Sequence, residues 1–105
     1  MPRKTVFKKI EIGSDGVITV WLQKQLVDGD QVHNLGWHIV VVEPGIDPAF
    51  VLTAVNTNLT EMGQGIIGDD DWSKVSTAVA AYHTPAVVAA YRAAQAAQAE
   101  GEIDA

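Results

Sequence analysis

The spacing of apolar residues changes once along this chain, and that change constrains the fold more than any other feature. Up to about Val42, apolar side chains recur at every second residue, and Val, Ile, Thr and Trp are frequent. From Asp47 onward they recur every three or four residues, and alanine becomes frequent. The first spacing is typical of half-buried β-strands and the second of amphipathic helices. We therefore predict a single domain at 1–105, with a β half at 1–43 and a helical half at 47–99.

Two turn signals divide the β half into three strands. Gly13-Ser14-Asp15-Gly16 and Asp28-Gly29-Asp30 are built from residues that tolerate a positive φ. Tight turns between alternating segments predict an antiparallel meander. Its strands are expected at about 4–12, 17–27 and 32–42.

The first strand alternates imperfectly, with Val6, Ile10 and Ile12 on one face and Thr5, Phe7, Lys9 and Glu11 on the other. A three-stranded meander is not stable alone in water, so one face must be covered. The helices are the expected cover, and the sequence leaves open which face they take.

Capping signals mark the helices. Asp47-Pro48 and Thr84-Pro85 each combine a capping side chain with proline at the first helical position. Asp69–Asp71 are expected to cap the middle helix and to favour its positive dipole end. The expected fold class is α+β, a meander packed against two or three C-terminal helices at about 48–62, 70–83 and 85–99, with a frayed tail at 100–105.

No motif in the sequence predicts catalysis or a cofactor. Gly63–Gly68 matches the dinucleotide fingerprint, but a helix precedes it and three aspartates follow, so we expect a connector between helices. Three consecutive aspartates do not alternate as calcium ligands do. His33 and His38 are five residues apart on one strand, which predicts opposite faces and no shared metal. We therefore expect no enzyme activity, no cofactor, no metal and no small-molecule substrate.

Charge is distributed unevenly along the chain. There are 7 cations and 13 anions, a net charge of −6, and four of the cations lie within the first nine residues. An acidic body argues against nucleic-acid binding, which requires phosphate neutralisation. The start has no apolar core of a secretory signal, and the longest apolar runs are far too short to span a bilayer. We expect neither a nucleic-acid nor a membrane partner.

The best interface candidates are tryptophans and lysines on the predicted sheet. Trp21 and Trp37 fall on adjacent strands, and exposed tryptophan is enriched at interaction surfaces. The alternative is that at least one of them packs beneath the helices. Lys4, Lys8 and Lys9 make the first strand cationic, which favours either a docking edge or protection of that edge from unwanted pairing.

Two stretches carry a resemblance to a known group of proteins. They are Glu11–Val20 continuing through Gly36–Gly45, and Ala81–Tyr91. Together they resemble small, uncharacterised proteins encoded in tailed bacteriophages and prophages among tail and other virion genes. Those proteins pair a strand ending His-x-x-Val-x-x-Pro-Gly with a Thr-Pro-Glu helix junction. Here Ala86 replaces the usual Glu, and 47–68 is longer than the usual connection.

The resemblance implies a non-enzymatic virion or tail-associated protein that acts by protein–protein assembly. Its partners would be other phage structural subunits or copies of itself, and it would reside in the virion after assembly in the bacterial cytoplasm. The alternative is a small acidic phage protein that binds and inhibits or redirects a host factor, for instance by mimicking nucleic-acid charge. A mimic needs a continuous stripe of carboxylates. Here they are scattered over turns and caps, which favours assembly.

Overall fold

The computed structural model describes residues 2–103, and the side chains of residues 2–98. Three antiparallel strands are followed by three helices, which confirms the predicted α+β fold. The elements are β1 (Arg3–Ile12), β2 (Ile18–Asp28), β3 (Gln31–Val42), α1 (Pro48–Glu61), α2 (Asp69–Tyr82) and α3 (Pro85–Ile103). The predicted frayed tail overlaps the last turn of α3, and residues 104 and 105 lie outside the described residues.

The strands form one sheet in the order β1-β2-β3. Both connecting turns contain a glycine with positive φ, Gly16 at 88° and Gly29 at 58°. Glycine reaches this region without a steric penalty, so the turn chemistry anticipated from the sequence does close the two hairpins. The middle strand β2 is paired on both sides, and β1 and β3 are the edges.

A bulge at Lys8 changes which residues of β1 face the helices. Phe7 pairs with Leu22, whereas Lys9 pairs with Trp21, so the register shifts by one residue between them. One unpaired residue reverses the alternation that follows it. Phe7 therefore packs against the core together with Ile10. The predicted grouping of Val6 with Ile10 was wrong.

A second bulge at Leu35 has the same effect on β3. Lys24 pairs with Gly36, and Gln25 pairs with Asn34. His38 pairs with Leu22 and His33 with Leu26, so the register places both histidines on one face and the predicted opposite faces were wrong. Five residues of extended strand still separate the two by roughly 16 Å, too far to share a metal.

The helices α1 and α2 cover one face of the sheet, and the core lies between these helices and the sheet. The indole Nε1 of Trp72 donates a hydrogen bond to the carbonyl of Pro48 at 2.8 Å, which ties α2 to the start of α1. The buried apolar residues are Ile18, Val20, Leu22, Val40, Val42, Val55, Leu59, Ile67, Trp72 and Val75.

The helix starts agree with the predicted capping, with one exception. Asp47 Oδ1 accepts a hydrogen bond from the amide of Ala49 at 2.9 Å, and Thr84 Oγ1 accepts one from the amide of Val87 at 3.2 Å. The N-cap of α2 is Gly68, which has no side chain to offer. The prediction that Asp69–Asp71 cap this helix was wrong, because they lie in its first turn. Their negative charges there still interact favourably with the positive end of the helix dipole.

The glycine-rich connector between α1 and α2 packs tightly on the sheet. Gln64 is buried, and its Nε2 donates to the carbonyls of Lys4 at 2.8 Å and Gln25 at 3.1 Å. A Cβ at Gly65 would lie 2.6 Å from the carbonyl oxygen of Arg3. Glycine is therefore needed here so that the connector can approach the backbone of β1.

The third helix lies against the opposite end of the sheet. Nε2 of His83, at the α2–α3 junction, donates to the carbonyl of Gly16 at 2.7 Å, because a carbonyl oxygen can only accept. Val88 and Arg92 approach Gly45 beyond the end of β3. Beyond these contacts α3 projects, and the radius of gyration is 16.5 Å, compared with about 13 Å for a compact chain of this length.

Candidate interaction surface

One face of the sheet has no helix over it. We call this side the open face; its central residues are Val6, Lys9, Glu11, Thr19, Trp21, Gln23, Trp37, Ile39 and Val41. Its apolar centre is formed by β2 and β3, and its polar members lie on β1 and β2. A sheet with one apolar face left exposed is unusual for a protein that remains alone in water.

Two tryptophans form the centre of the open face. The rings of Trp21 and Trp37 meet edge to face, with centroids 5.6 Å apart and planes at 88°. Trp37 is 45% exposed, and its neighbours Ile39 and Val41 are also exposed. Trp21 and Trp37 both lie on the face opposite the core, so neither packs beneath the helices. Their role as an interface stays a prediction.

Of the three lysines of β1, only Lys9 lies beside this centre, and the three do not form one cluster. Lys9 Nζ lies 4.4 Å from the ring centroid of Trp21 and pairs with Glu11 at 2.9 Å. Lys8 occupies the bulge, and Lys4 pairs with Gln25 near the start of the strand. All three are exposed along an edge strand, an arrangement that protects such an edge from pairing. Their role in docking stays a prediction.

The other edge of the sheet, formed by β3, carries no charged side chains. Residues 31–42 of β3 and 48–60 of α1 contain no Asp, Glu, Lys or Arg. Between the two elements runs a groove of about 340 Å³, which we call the β3 groove. The residues that define it are His38, Val40, Ile46, Phe50, Ala54 and Asn58.

Phe50 and His38 make the β3 groove apolar and uncharged. Phe50 is 72% exposed, the highest value among the large apolar residues that the structure describes. Burial, and secondarily the charge of nearby Lys24, lowers the pKa of His38 below the usual value of 6.5. A lower pKa favours the neutral imidazole, so the wall of the groove stays uncharged near neutral pH.

Sequence reasoning missed Phe50 and therefore the β3 groove. The apolar positions of α1 that pack inward are Val51, Val55 and Leu59, at helical spacing, together with Leu52. Phe50 precedes this stripe by one position, which turns it by about 100° around the helix. A large aromatic residue outside the apolar stripe was the one available signal.

The remaining depressions offer little chemistry. One of about 510 Å³ is lined by Thr53, Thr57, Thr60, Asn56 and Glu61 on the outside of α1. The three threonine hydroxyls already donate to carbonyls one turn earlier in the helix. Within residues 2–103, no group of three or more His, Asp or Glu is placed to hold a metal. No helix in that range has the length and hydropathy to cross a bilayer.

Comparisons of the chain with protein-family models, with curated proteins and with solved structures found no match. The open face and the β3 groove are therefore the features from which a function can be inferred. Both are surfaces suited to protein contact, because they are apolar, exposed and rimmed by polar residues.

Proposed function

We propose that this protein is a non-enzymatic bacteriophage virion or tail-associated component that acts by protein–protein assembly. The observation that supports the proposal is the Trp21–Trp37 pair, with Trp37 exposed and Trp21 half-buried, on a sheet face that no helix covers. Tryptophan anchors contribute much of the binding energy of interfaces when a partner buries them. The edge-to-face contact holds the two rings in place before binding, so little side-chain entropy remains to be lost.

The composition of the open face fits a protein partner. Its centre is aromatic and aliphatic, whereas Lys9, Glu11, Thr19 and Gln23 supply groups that can form hydrogen bonds or ion pairs at the rim. This combination of an apolar centre and a polar rim is the usual anatomy of a protein interface. The partners we propose are other phage structural subunits or copies of this chain.

The phage assignment rests on the two stretches that carry the resemblance. In the folded chain they meet at one end of the sheet, where His83 hydrogen-bonds Gly16 and where Val88 lies against Gly45. A chain that shares both motifs has the residues needed to dock its last helix against the hairpin ends. The proposal places the protein in the virion, after assembly in the bacterial cytoplasm.

Mass spectrometry of purified particles tests this proposal. In particles produced by the bacterium that carries the gene, we expect the chain at a stoichiometric level that survives repeated density-gradient purification. Trp37→Ala should remove it from particles while the free protein still accumulates. The matched control is Ile66→Ala, since Ile66 is similarly exposed but lies outside the open face. Accumulation in the lysate without incorporation of the wild-type chain would refute a virion role.

A further inference from the structure

We propose that two copies of this chain pair antiparallel through the outer edges of their β3 strands, joining two sheets into one of six strands. This inference rests on the proposed assembly function and identifies one partner, a second copy of the chain. Within residues 2–103 no strand pairs with the outer edge of β3. Its unpaired amides and carbonyls are thus available as a template for strand addition.

The two edges of the sheet differ in how well they are protected. Edge strands are usually kept from pairing by charges, by proline or by short length. β1 carries four cations, so pairing it with its own copy would bring like charges together. β3 is 12 residues long, contains neither proline nor a charged residue, and pairs regularly with β2 from Gly36 to Val42. The free edge of this regular segment is the part suited to self-pairing.

The charge distribution favours a second copy at this edge. The whole chain holds 20 charged residues, yet residues 31–60 include only Glu43 and Asp47. Two copies with a net charge of −6 each repel one another wherever their charged surfaces meet. The uncharged surface of β3 and α1 is where contact between copies costs the least electrostatic free energy. Pairing through β3 also places the two cationic β1 strands at the two outer edges of the joined sheet, far from each other.

Exposed apolar side chains flank the outer edge of β3 on both faces of the sheet, where an added strand would contact them. On the helix side, Phe50 is 72% and Ile46 is 43% exposed, and on the open face Ile39 and Val41 are about half exposed. A strand hydrogen-bonded to β3 would lie between these two sets and cover both. Because a two-fold interface is self-complementary, each copy contributes the same four side chains.

The chain exposes more surface than a compact monomer of its mass. The accessible surface is 6550 Å², whereas a compact monomer of 11.2 kDa exposes about 5,700 Å². A standard interface buries about 800 Å² per partner. The excess of the whole chain, to which the projecting α3 also contributes, is of the same order as the area that one partner of such an interface buries.

Sedimentation velocity of the full chain over a concentration series tests the inference, with Phe50→Glu and Ile66→Glu as the matched pair of variants. Phe50 is the third residue of α1, where a carboxylate favours the helix start. Phe50→Glu should therefore keep the melting temperature of the monomer while raising the dimer dissociation constant about tenfold or more. Ile66→Glu adds the same charge at a similarly exposed site outside the groove, and it should leave the dissociation constant unchanged.

Hydrogen exchange locates the interface independently of any variant. Amides of β3 between Gly36 and Val42 should become more protected as the wild-type concentration rises, and amides of β1 should not. A wild-type chain that stays monomeric up to the highest soluble concentration would overturn the proposal. So would a dimer that Phe50→Glu leaves intact or whose protection lies outside β3.

The outcome for the dimer and the outcome for the virion role can be told apart. A monomeric chain that is nevertheless found in particles would mean that another subunit occupies the open face, which refutes the dimer and keeps the assembly function. A β3-paired dimer that is absent from particles would refute the virion role and keep the dimer.

Discussion

The indole nitrogen of Trp72 in α2 donates to the carbonyl oxygen of Pro48, the first residue of α1, at a distance of 2.8 Å. Trp72 is almost fully buried, and the bond connects two helices that otherwise meet through apolar contacts. Trp72 is thus a core residue, whereas the other two tryptophans lie on the open face.

Replacement of Trp72 should separate its hydrogen bond from its packing. Trp72→Phe keeps an aromatic ring but removes the donor, so we expect a loss of about 1–2 kcal/mol in the free energy of unfolding. Trp72→Ala also leaves a cavity and should cost about 3–5 kcal/mol. Urea denaturation measures both. The control is Trp37→Ala, whose exposed side chain should cost much less, and equal losses for Trp37→Ala and Trp72→Ala would contradict this assignment.

The three tryptophans should differ in their access to a soluble quencher. Trp37 is 45% exposed, whereas Trp72 is only 3% exposed. Single-tryptophan variants, with the other two changed to Phe, should show red-shifted, readily quenched emission from Trp37 and blue, protected emission from Trp72. Acrylamide quenching of the monomer measures this. Protected emission from Trp37 in the monomer would remove the support for the open face as an interface.

The cap at the α2–α3 junction should contribute to stability. Thr84→Ala removes the hydroxyl that accepts from the amide of Val87, and the usual cost of losing such a cap is about 1 kcal/mol. Thermal denaturation followed by circular dichroism measures the effect. Thr84→Ser, which keeps the acceptor, should restore most of it. An unchanged melting curve for Thr84→Ala would mean that this hydrogen bond does not stabilise the junction.

The connector between α1 and α2 should tolerate a side chain at one glycine and not at another. A methyl group at Gly65 would collide with backbone atoms of Arg3 and Lys4, so Gly65→Ala should cost about 1–3 kcal/mol. Gly68 has open space around it and is the N-cap of α2. Gly68→Ser should therefore be neutral or stabilising, because serine is a favourable N-cap. Chemical denaturation of both variants distinguishes this packed connector from a mobile one, which would accept either change.

The partly buried position of His38 should make stability depend on pH. Its folded-state pKa lies below the unfolded value of 6.5, mainly because of burial and secondarily because of Lys24. Above pH 6.5 the imidazole is neutral in both states and costs nothing. As the pH falls below 6.5, the unfolded chain takes up the proton more readily, so stability decreases until the folded-state pKa is passed.

The His38 prediction is tested by urea midpoints measured from about pH 7.5 to about pH 5. The His38→Gln variant should lose less stability than the wild type over this range. The control is His33→Gln, an exposed residue of the same strand, which should keep the wild-type profile. Identical profiles for the wild type and His38→Gln would contradict the proposed effect of burial.

Much of the local structure followed from short stretches of sequence. The turn at Gly13–Gly16 and the caps Asp47 and Thr84 lie where the sequence predicts them, and the predicted element bounds are within two residues except at the end of α3. Turns, caps and periodic patterns depend on the conformational preferences of a few neighbouring residues, which the sequence states directly. Trp21 and Trp37 were recognisable as interface candidates for the same reason, since each lies in an alternating strand.

The sequence by itself determined the α+β class, the order of elements, the turns and two of the three caps. The tertiary structure alone decided which residues lie on which face of the sheet. Bulges at Lys8 and Leu35 reversed the alternation of β1 and β3. The helices covered one face and left the tryptophan pair on the other, and Phe50 lies beside the free edge of β3. A bulge exists only relative to the strand opposite it, and a face is covered only when a distant helix packs better there than on the other side. Both depend on contacts between residues far apart in the chain, which no local pattern records.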